Sequence, residues 1–438
     1  MKIHVTLFAL LALVFLTGCK EDIRNYVIPK GPEPLTESVT APALSAKRYV
    51  FYEANPRCFA TSGQLRAITE RLDAIKALGT DVVWLMPIYP LGTEKAFGSP
   101  YCIKDFKGVR SECGSPDDFK SLVTAAHSKG MKVILDWVAN HTAWDHPWVT
   151  AHPDWYTKDS NGNIVYPETW TDVADLNYAM ADLRSAMIDA MKFWVTDYDV
   201  DGFRCDYAHG VPDDFWSSAI TALRSIKPDL VMLAESDYER LYDDGFDVIF
   251  SRALKAGLVN LFNGKTSPDE FMTNIYRKTV ENVPAGKTKL FFITNHDDAS
   301  EISPVKQFPG EKAAMSAFLL AAALDGSPLI YSSQETGYPD KINFINTTVM
   351  NWNSNPSYTD LYGLVTKNLC SFDRSAGFTS YTSGHAVWIV FGNKSYIVVN
   401  TCGDKIKVQT PEGLNVSGKI NDKTPYLPLE PYAFSVVH

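Results

Sequence analysis

Short apolar segments of strand length recur along the chain and alternate with helical patterns. They lie at residues 49–53, 81–88, 131–135, 200–206, 230–234, 247–250, 290–294 and 328–334. After the first, Leu65, Ile68, Leu72 and Ile75 fall at helical spacing, and Gly79 ends that pattern. Strands and helices in alternation predict a parallel sheet, which in closed form is a parallel α/β barrel.

Polar residues follow several of these segments. The strand ends carry Asp136, Arg204 with Asp206, Glu235, and Asn295-His296-Asp297. Because all strands of a parallel barrel end on one face, these side chains should converge there as an active site. Arg204 and Asp206 share a strand face, where the guanidinium would keep the carboxylate ionised. Since Arg-x-Asp is also a common structural ion pair, the prediction depends on the convergence of several strand ends.

Three stretches of the chain depart from this alternation of strand and helix patterns. Residues 20–46 are proline-rich without periodicity, which predicts an extended tether. Residues 142–181 form an aromatic insertion, whose rings either pack together or stack on sugars. Residues 371–438 hold short alternating strands, which predict an all-β sandwich after a barrel over 47–370.

Composition narrows the classes of function. The 438 residues are 45% hydrophobic and 21% charged, as expected for a large globular domain with smaller attachments. A net charge of −10 argues against nucleic acid as a partner, because its binders need a basic face. A neutral polysaccharide is unaffected by that charge.

The first 19 residues have the layout of a secretory signal. A basic start precedes an apolar run at 5–16, and Leu16-Thr17-Gly18-Cys19 resembles a bacterial lipobox. We therefore expect Cys19 to be lipidated and the protein to be anchored to the outer membrane. The charged residues 20–22 resemble the export tag of Bacteroidetes-type lipoproteins found at the cell surface. A plain signal peptide with an incidental cysteine is the alternative.

The remaining cysteines leave one question open. Cys205 should point into the layer between strand and helix as a buried thiol. Cys102 and Cys113 lie in one loop and are close enough in sequence to pair, but spacing does not determine connectivity.

The ordered motifs resemble the signature regions of the α-amylase family, glycoside hydrolase family 13. They read Asp136-Trp-Val-Ala-Asn140-His141, Gly202-Phe-Arg204-Cys-Asp206, Glu235 after Leu-Ala, and Asn295-His296-Asp297. Asp175-Leu176-Asn177 resembles the auxiliary fifth region. The resemblance implies a (β/α)8 TIM barrel, with residues 142–181 as a short domain B after strand 3.

The resemblance also implies roles for individual residues. Asp206 would be the nucleophile, Glu235 the acid/base, and Asp297 the third acid that holds sugar hydroxyls. The residues implied to bind substrate are Tyr101, Asp136, His141, Arg204, His209 and His296. Two departures, Ser99 and His209-Gly210 at positions where many members have histidine and Lys-His, put the preferred substrate in doubt.

A structural calcium ion is implied by the same resemblance. Its ligands would be Asn140, Asp175 and the backbone carbonyl of Gly210. Oxygen ligands suit this hard cation. The alternative is that the short domain B has dispensed with the ion.

The expected activity is retaining hydrolysis of α-1,4-glucosidic bonds in starch, maltodextrins or related α-glucans. A cyclomaltodextrin or pullulan hydrolase, or a glucosyl transferase or isomerase, would share every residue above. A non-catalytic glucan-binding lipoprotein is the alternative from another class. The presence of all three acids argues against it.

Overall fold

The computed structural model describes residues 34–42, 47–392, 395–414, 416 and 426–437. Cys19, the predicted signal and much of the predicted tether therefore lie outside the described residues. None of the helices in the described ranges is long and apolar enough to cross a bilayer.

The described strands are numbered in chain order. They are β1 (Thr36–Ala41), β2 (Phe51–Ala54), β3 (Val82–Leu85), β4 (Lys132–Trp137), β5 (His141–Ala143), β6 (Val173–Asp175), β7 (Gly202–Cys205), β8 (Val231–Ala234), β9 (Val248–Phe250), β10 (Thr288–Phe291), β11 (Ser327–Tyr331), β12 (Phe378–Ser383), β13 (Ala386–Phe391), β14 (Ser395–Asn400), β15 (Ile406–Gln409), β16 (Tyr426–Leu429) and β17 (Phe434–Val437).

The helices are numbered in the same way. They are α1 (Gln64–Ala77), α2 (Pro116–Ser128), α3 (Pro147–Ala151), α4 (Ala181–Tyr198), α5 (Asp213–Arg224), α6 (Arg252–Phe262), α7 (Pro268–Glu270), α8 (Arg277–Val280), α9 (His296–Glu301), α10 (Pro304–Gln307), α11 (Glu311–Ala323) and α12 (Pro356–Ser371). A π-helical segment, Phe271–Tyr276, joins α7 to α8.

Eight parallel strands form the closed barrel that the alternating pattern predicted. Their order around the barrel is β2-β3-β4-β7-β8-β9-β10-β11. Each predicted apolar segment overlaps one of these strands. The barrel fold is therefore confirmed, and the carboxyl ends of its strands meet on one face.

Alternation along the strands divides the apolar residues between two cores. Val82 and Trp84 of β3 face the barrel interior, whereas Val83 and Leu85 pack in the layer between strands and helices. Cys205 is buried in that outer layer, as predicted. Because successive strand side chains point to opposite faces, the barrel strands contribute apolar residues to both cores, except β7, which has Phe203 and Cys205 in the outer layer and no apolar residue in the inner core.

The strand β7 approaches its neighbour closely at Gly202. A Cβ atom there would lie 2.0 Å from the carbonyl oxygen of Val231, and the backbone φ is +143°. Glycine is required at this position because any side chain would push β7 away from β8. This contact brings the strand that carries Arg204 against the strand that precedes Glu235.

The C-terminal domain includes a strand from the segment predicted to be a tether. Strands β1, β12, β13, β14 and β17 form an antiparallel sheet, and β15 pairs with β16 beside it. Strand β1 pairs with β12 from Thr36↔Thr382 to Ala41↔Phe378. The tether prediction is therefore wrong for residues 36–41. These residues form a strand at the edge of the sheet. Backbone hydrogen bonds to the neighbouring strand hold such a strand in place, so its side chains can be polar.

The insertion after β4 is small. Strands β5 and β6 pair antiparallel within it, placing His141 opposite Asp175. Its aromatic residues include Trp155 and Tyr156, which are buried, and Trp170, whose ring contacts Tyr207. Cys102 and Cys113 are both free thiols, so the possible pairing is not formed.

Candidate active site

Arg204 lies at the centre of the site, completely buried among three carboxylates. Its Nη1 is 2.7 Å from Asp136 Oδ1 and 2.8 Å from Asp206 Oδ1. Its Nη2 is 2.9 Å from Glu235 Oε2. A planar guanidinium presents donors in a fixed geometry, so it orients all three carboxylates at once. The predicted Arg204–Asp206 contact is confirmed.

The barrel backbone fixes the two central acids. The Asp206 N–H donates to the carbonyl of Trp137 at 2.9 Å, and the Glu235 N–H donates to the carbonyl of Cys205 at 2.9 Å. Sheet hydrogen bonding thus continues one residue beyond β7 and β8. Both side chains are held at the mouth of the barrel, 12% and 13% exposed.

The pKa shift of Asp206 is opposite to the one expected from its contact with Arg204. Burial has the largest effect and raises the pKa of Asp206 well above its usual value; Arg204 opposes this rise, and the nearby carboxylates of Glu235 and Asp136 add to it. Burial would also raise the pKa of Glu235, but the guanidinium groups of Arg204 and Arg252 lower it. Because one guanidinium is shared among three carboxylates, the pKa values of the two central acids shift in opposite directions in the unliganded protein, upward for Asp206 and downward for Glu235.

A buried network connects Arg204 to the far side of the site. The Tyr101 hydroxyl donates to Asp136 Oδ2 at 3.1 Å, and Trp84 Nε1 donates to the same oxygen at 3.0 Å. The Tyr101 hydroxyl is also 2.8 Å from His296 Nε2, and the two rings stack at 5.4 Å. We call Glu53, Tyr101, Asp136, Arg204 and His296 the buried network.

Glu53 completes this network from the end of β2. His296 Nδ1 donates to Glu53 Oε1 at 2.5 Å, and neither side chain is more than 2% exposed. Burial alone would lower the pKa of His296, but Asp297 and Glu53 raise it to about 9. Burial raises the pKa of Glu53 as well. His296 is therefore an imidazolium at neutral pH.

Asp297 is the most open of the three predicted acids. Its side chain is 53% exposed, with Oδ1 3.3 Å from His296 Nε2. Asn295 caps helix α9 by accepting the N–H of Asp298, and its Nδ2 donates to Asp297 Oδ2 at 3.3 Å. The helix start thus directs Asp297 toward the mouth of the barrel beside His296.

Glu235 contacts two further groups. The backbone N–H of Tyr207 donates to Glu235 Oε2 at 2.9 Å, from a residue with φ of +43°. Arg252, the first residue of α6, has Nη2 2.7 Å from Glu235 Oε1. The residue after the nucleophile position is thus strained into a conformation that holds the other acid.

The other two histidines predicted to bind substrate, His141 and His209, have different surroundings. Burial lowers the pKa of His141 to about 4, so this ring is neutral. Its ring lies 5.6 Å from that of Trp170. His209 contacts Tyr207, the residue whose N–H donates to Glu235, at 4.3 Å between ring centres, and it contacts Tyr238 at 5.4 Å.

The residues predicted to hold calcium are brought near one another. A Cβ on Gly210 would lie 2.9 Å from Asn140 Oδ1. Asp175 precedes Leu176, whose N–H donates to the Asn140 carbonyl at 3.2 Å. Carboxamide, carboxylate and carbonyl oxygens fit the chemistry of Ca²⁺. Within the described ranges there is no cluster of three or more His, Cys, Asp or Glu suited to a metal, so such a site would have few charged ligands.

Sequence reasoning missed Glu53, Trp84, Tyr207 and Arg252. Glu53 had a usable signal, because it ends the first apolar segment as Asp136 and Glu235 end theirs. Arg252 follows β9 in the same way. Tyr207 had no signal, since its contribution is a backbone N–H aimed by a positive φ.

The catalytic-domain model of the α-amylase family matches residues 47–227. The chain is 31% identical over 313 residues to α-amylase MalA of Haloarcula japonica, covering 68% of this chain and 45% of that protein. It is 31% identical over 335 residues to the α-1,4-glucan:maltose-1-phosphate maltosyltransferase of Rhodospirillum rubrum, covering 69% and 46%. The chain thus spans less than half the length of either relative.

The fold agrees with solved structures over nearly its whole length. The maltogenic α-amylase AmyB of Thermotoga neapolitana superposes with a TM-score of 0.73 at 25% identity. The superposition covers 89% of this chain and 98% of that one. These similarities support a glycoside hydrolase.

Proposed function

Because the chain belongs to the α-amylase family, we propose that it hydrolyses α-1,4-glucosidic bonds in starch, maltodextrins or related α-glucans with retention of configuration. The observation that carries this proposal is Arg204 in contact with Asp206 and Glu235 at 2.8 and 2.9 Å. Two carboxyls on one guanidinium are near neighbours. Retaining glycosidases need carboxyls about 5 Å apart, whereas inverting enzymes need room for a water between them.

In the proposed reaction, an oxygen of Asp206 forms a bond to the anomeric carbon as the bond to the leaving oxygen breaks. Glu235 gives its proton to that oxygen. Glu235 then takes a proton from water, which displaces Asp206 and releases the sugar. Asp297 and the His296 imidazolium would hold the sugar hydroxyls through charge-assisted hydrogen bonds.

The test uses the full chain in detergent, with starch and maltooligosaccharides as substrates. Asp206→Asn and Glu235→Gln should each lower kcat on the order of 10³-fold or more, because each removes an essential chemical step. Proton NMR should detect the α-anomer of the new reducing end first, because two inversions restore the configuration. Early appearance of the β-anomer would contradict retention, and full activity of Asp206→Asn would contradict the assignment of the nucleophile.

Glycosyl transfer is a second candidate, favoured by the 31% identity to a maltosyltransferase. The same covalent step serves both reactions, and only the acceptor differs. Supplying maltose 1-phosphate with a maltooligosaccharide should give free phosphate and longer chains if transfer is the main reaction. Release of reducing sugar without chain extension would support hydrolysis.

Membrane anchoring through Cys19 is part of the proposal, based on the lipobox resemblance at residues 16–19. A single acyl chain binds a membrane only weakly, whereas two or more chains on the same residue give durable membrane binding. Cys19→Ala should therefore move the protein from the membrane fraction to the soluble fraction. Unchanged partitioning of this variant would refute the anchor.

A structural Ca²⁺ held by Asn140, Asp175 and the carbonyl of Gly210 is also proposed. The ion would tie the insertion to the barrel and stabilise the folded state by mass action. A chelator should lower the melting temperature, and Ca²⁺ but not Mg²⁺ should restore it. A melting temperature that is the same with chelator and with Ca²⁺ would exclude this site.

A further inference from the structure

The two oxygens of Glu235 have different environments. Oε2 accepts the Tyr207 N–H at 2.9 Å and lies 2.9 Å from Arg204 Nη2, both of which are fixed by the barrel. Oε1 lies 2.7 Å from Nη2 of Arg252, whose side chain is 47% exposed. Only Oε1 has a partner able to move into solvent, so Oε1 is the oxygen available to a leaving group.

Arg252 in this position is incompatible with an acid catalyst. A general acid must carry its proton toward the oxygen that receives it. A guanidinium has only donors and does not lose its charge in proteins, so its contact with Oε1 favours the anionic form of Glu235.

A second partner for Arg252 lies beside the first. Asp237 Oδ1 is 3.9 Å from Arg252 Nη1, and its side chain is 42% exposed. The same oxygen accepts the backbone N–H of Arg252 at 3.1 Å. The start of α6 is thereby anchored, so the side chain alone needs to swing from Glu235 to Asp237.

We propose that Arg252 is a positioning residue that controls the protonation of Glu235. It holds Oε1 as an anion in the unliganded protein and transfers to Asp237 when the leaving sugar occupies the space in front of Glu235. This inference rests on the proposed function, in which Glu235 is the acid.

The charges around Glu235 determine the sign of the effect. The charged groups around it are Arg204, Asp206, Asp136 and His296 from the barrel, Arg252 from the start of α6, and Asp237 from the loop after β8. Arg252 lowers the pKa of Glu235, so removing it raises that pKa. An acid with a higher pKa stays protonated to higher pH, so the alkaline limb of kcat/KM, which reports the unliganded enzyme, moves to higher pH.

The first experiment measures kcat/KM against pH for Arg252→Met on a maltooligosaccharide, because this ratio reports the pKa values of the unliganded enzyme. The alkaline limb should move up by about one pH unit, whereas Arg252→Lys should stay near wild type. Arg240→Met is the matched control, because Arg240 is a similarly exposed arginine paired with Asp213 at 3.0 Å. Its profile should not change. An unshifted limb in Arg252→Met, or a loss equal at all pH values, would overturn the inference.

A second variant tests the alternative partner. Asp237→Asn removes the charge that attracts the displaced guanidinium but keeps an oxygen for the Arg252 N–H. Arg252 should then remain longer on Glu235, and the alkaline limb should move down. Movement upward or no movement would show that Asp237 does not receive Arg252.

A third measurement does not depend on catalysis. In an Asp206→Asn background the partner acid no longer titrates, and ¹³C NMR follows the carboxyl of Glu235. Adding Arg252→Met should raise its pKa by about one unit. If this shift appears but wild type cleaves no α-glucan, the proposed function fails and the Arg252 contact stands. If the enzyme is active and neither quantity shifts, the inference about Arg252 fails.

Discussion

The two sides of the active site are built in opposite ways. On one side, the buried network joins Glu53, His296, Tyr101, Asp136 and Arg204 by hydrogen bonds or ion pairs of 2.5 to 3.1 Å. On the other side, the half-exposed Arg252 contacts Glu235 at 2.7 Å, and Asp237 lies 3.9 Å from its guanidinium.

This difference separates two requirements of catalysis. Groups that recognise and orient a sugar benefit from being rigid, because no reorganisation is then needed during the reaction. A group that must take up and release a proton needs a partner that can leave. In the proposed reaction, burial provides the first property, and exposure of Arg252 provides the second.

Arg204→Met should have the largest effect on stability and activity, because it removes the cation shared by three buried carboxylates. Uncompensated buried charge should lower the free energy of unfolding by about 3–5 kcal/mol. The kcat should fall on the order of 10³-fold, since the one group that contacts Asp206 and Glu235 together is lost. Denaturant unfolding and steady-state kinetics check both.

Arg224→Met is the matched control for this variant. Arg224 also pairs with a carboxylate, Asp247 at 2.9 Å, but the pair is partly exposed and far from the acids. The loss of stability should be about 1 kcal/mol at most, with kcat unchanged. Equal losses in the two variants would mean that the buried network has no special strength.

Glu53→Gln tests the buried network through the pH dependence of the free energy of unfolding. The pKa of His296 is about 9 in the folded protein, above its usual 6.5. The pairing therefore stabilises the fold fully below pH 6.5, and the contribution disappears as pH rises through 9. Wild type should exceed the variant by about 1.5–3 kcal/mol at pH 6, with a smaller difference at pH 10.

Glu335→Gln is the control for this pH dependence. Glu335 is also a buried carboxylate, in the segment after β11, but it accepts a hydrogen bond from the Tyr52 hydroxyl at 2.8 Å instead of from a histidine. Its effect should be constant between pH 6 and pH 10. A Glu53→Gln effect that is equally constant would contradict a charged His296.

Gly210→Ala should have the smallest effect on activity and stability. It changes the part of the site that holds Glu235. The added Cβ would lie 2.3 Å from Cε1 of Tyr207, whose N–H holds Glu235 Oε2. Displacing Tyr207 should lower kcat about tenfold through loss of this bond. Overpacking should cost about 1–3 kcal/mol of stability.

A double-mutant cycle identifies the cause. If the clash with the Tyr207 ring is responsible, Tyr207→Ala with Gly210→Ala should lose no more stability than Tyr207→Ala alone. Additive losses would point to another effect of the alanine, such as displacement of Asn140, whose Oδ1 lies 2.9 Å from the added atom.

The barrel and three carboxylates at its strand ends were predictable because their signals are local. An apolar strand that ends in a carboxylate is visible at Asp136, Asp206 and Glu235 without any knowledge of packing. The parallel topology then brings the strand ends together. Strand β1 was not predictable, because a polar edge strand depends on a partner more than 300 residues away.

The protonation of the site was decided by the tertiary structure. The sequence placed Arg204 beside Asp206 through the two-residue repeat of a strand, and from that pair alone an ionised Asp206 was a sound prediction. Folding adds Asp136 and Glu235 to the same guanidinium and places Arg252 on Glu235. Each pKa depends on all charges within a few ångströms in a buried setting, and those distances exist only in the folded chain.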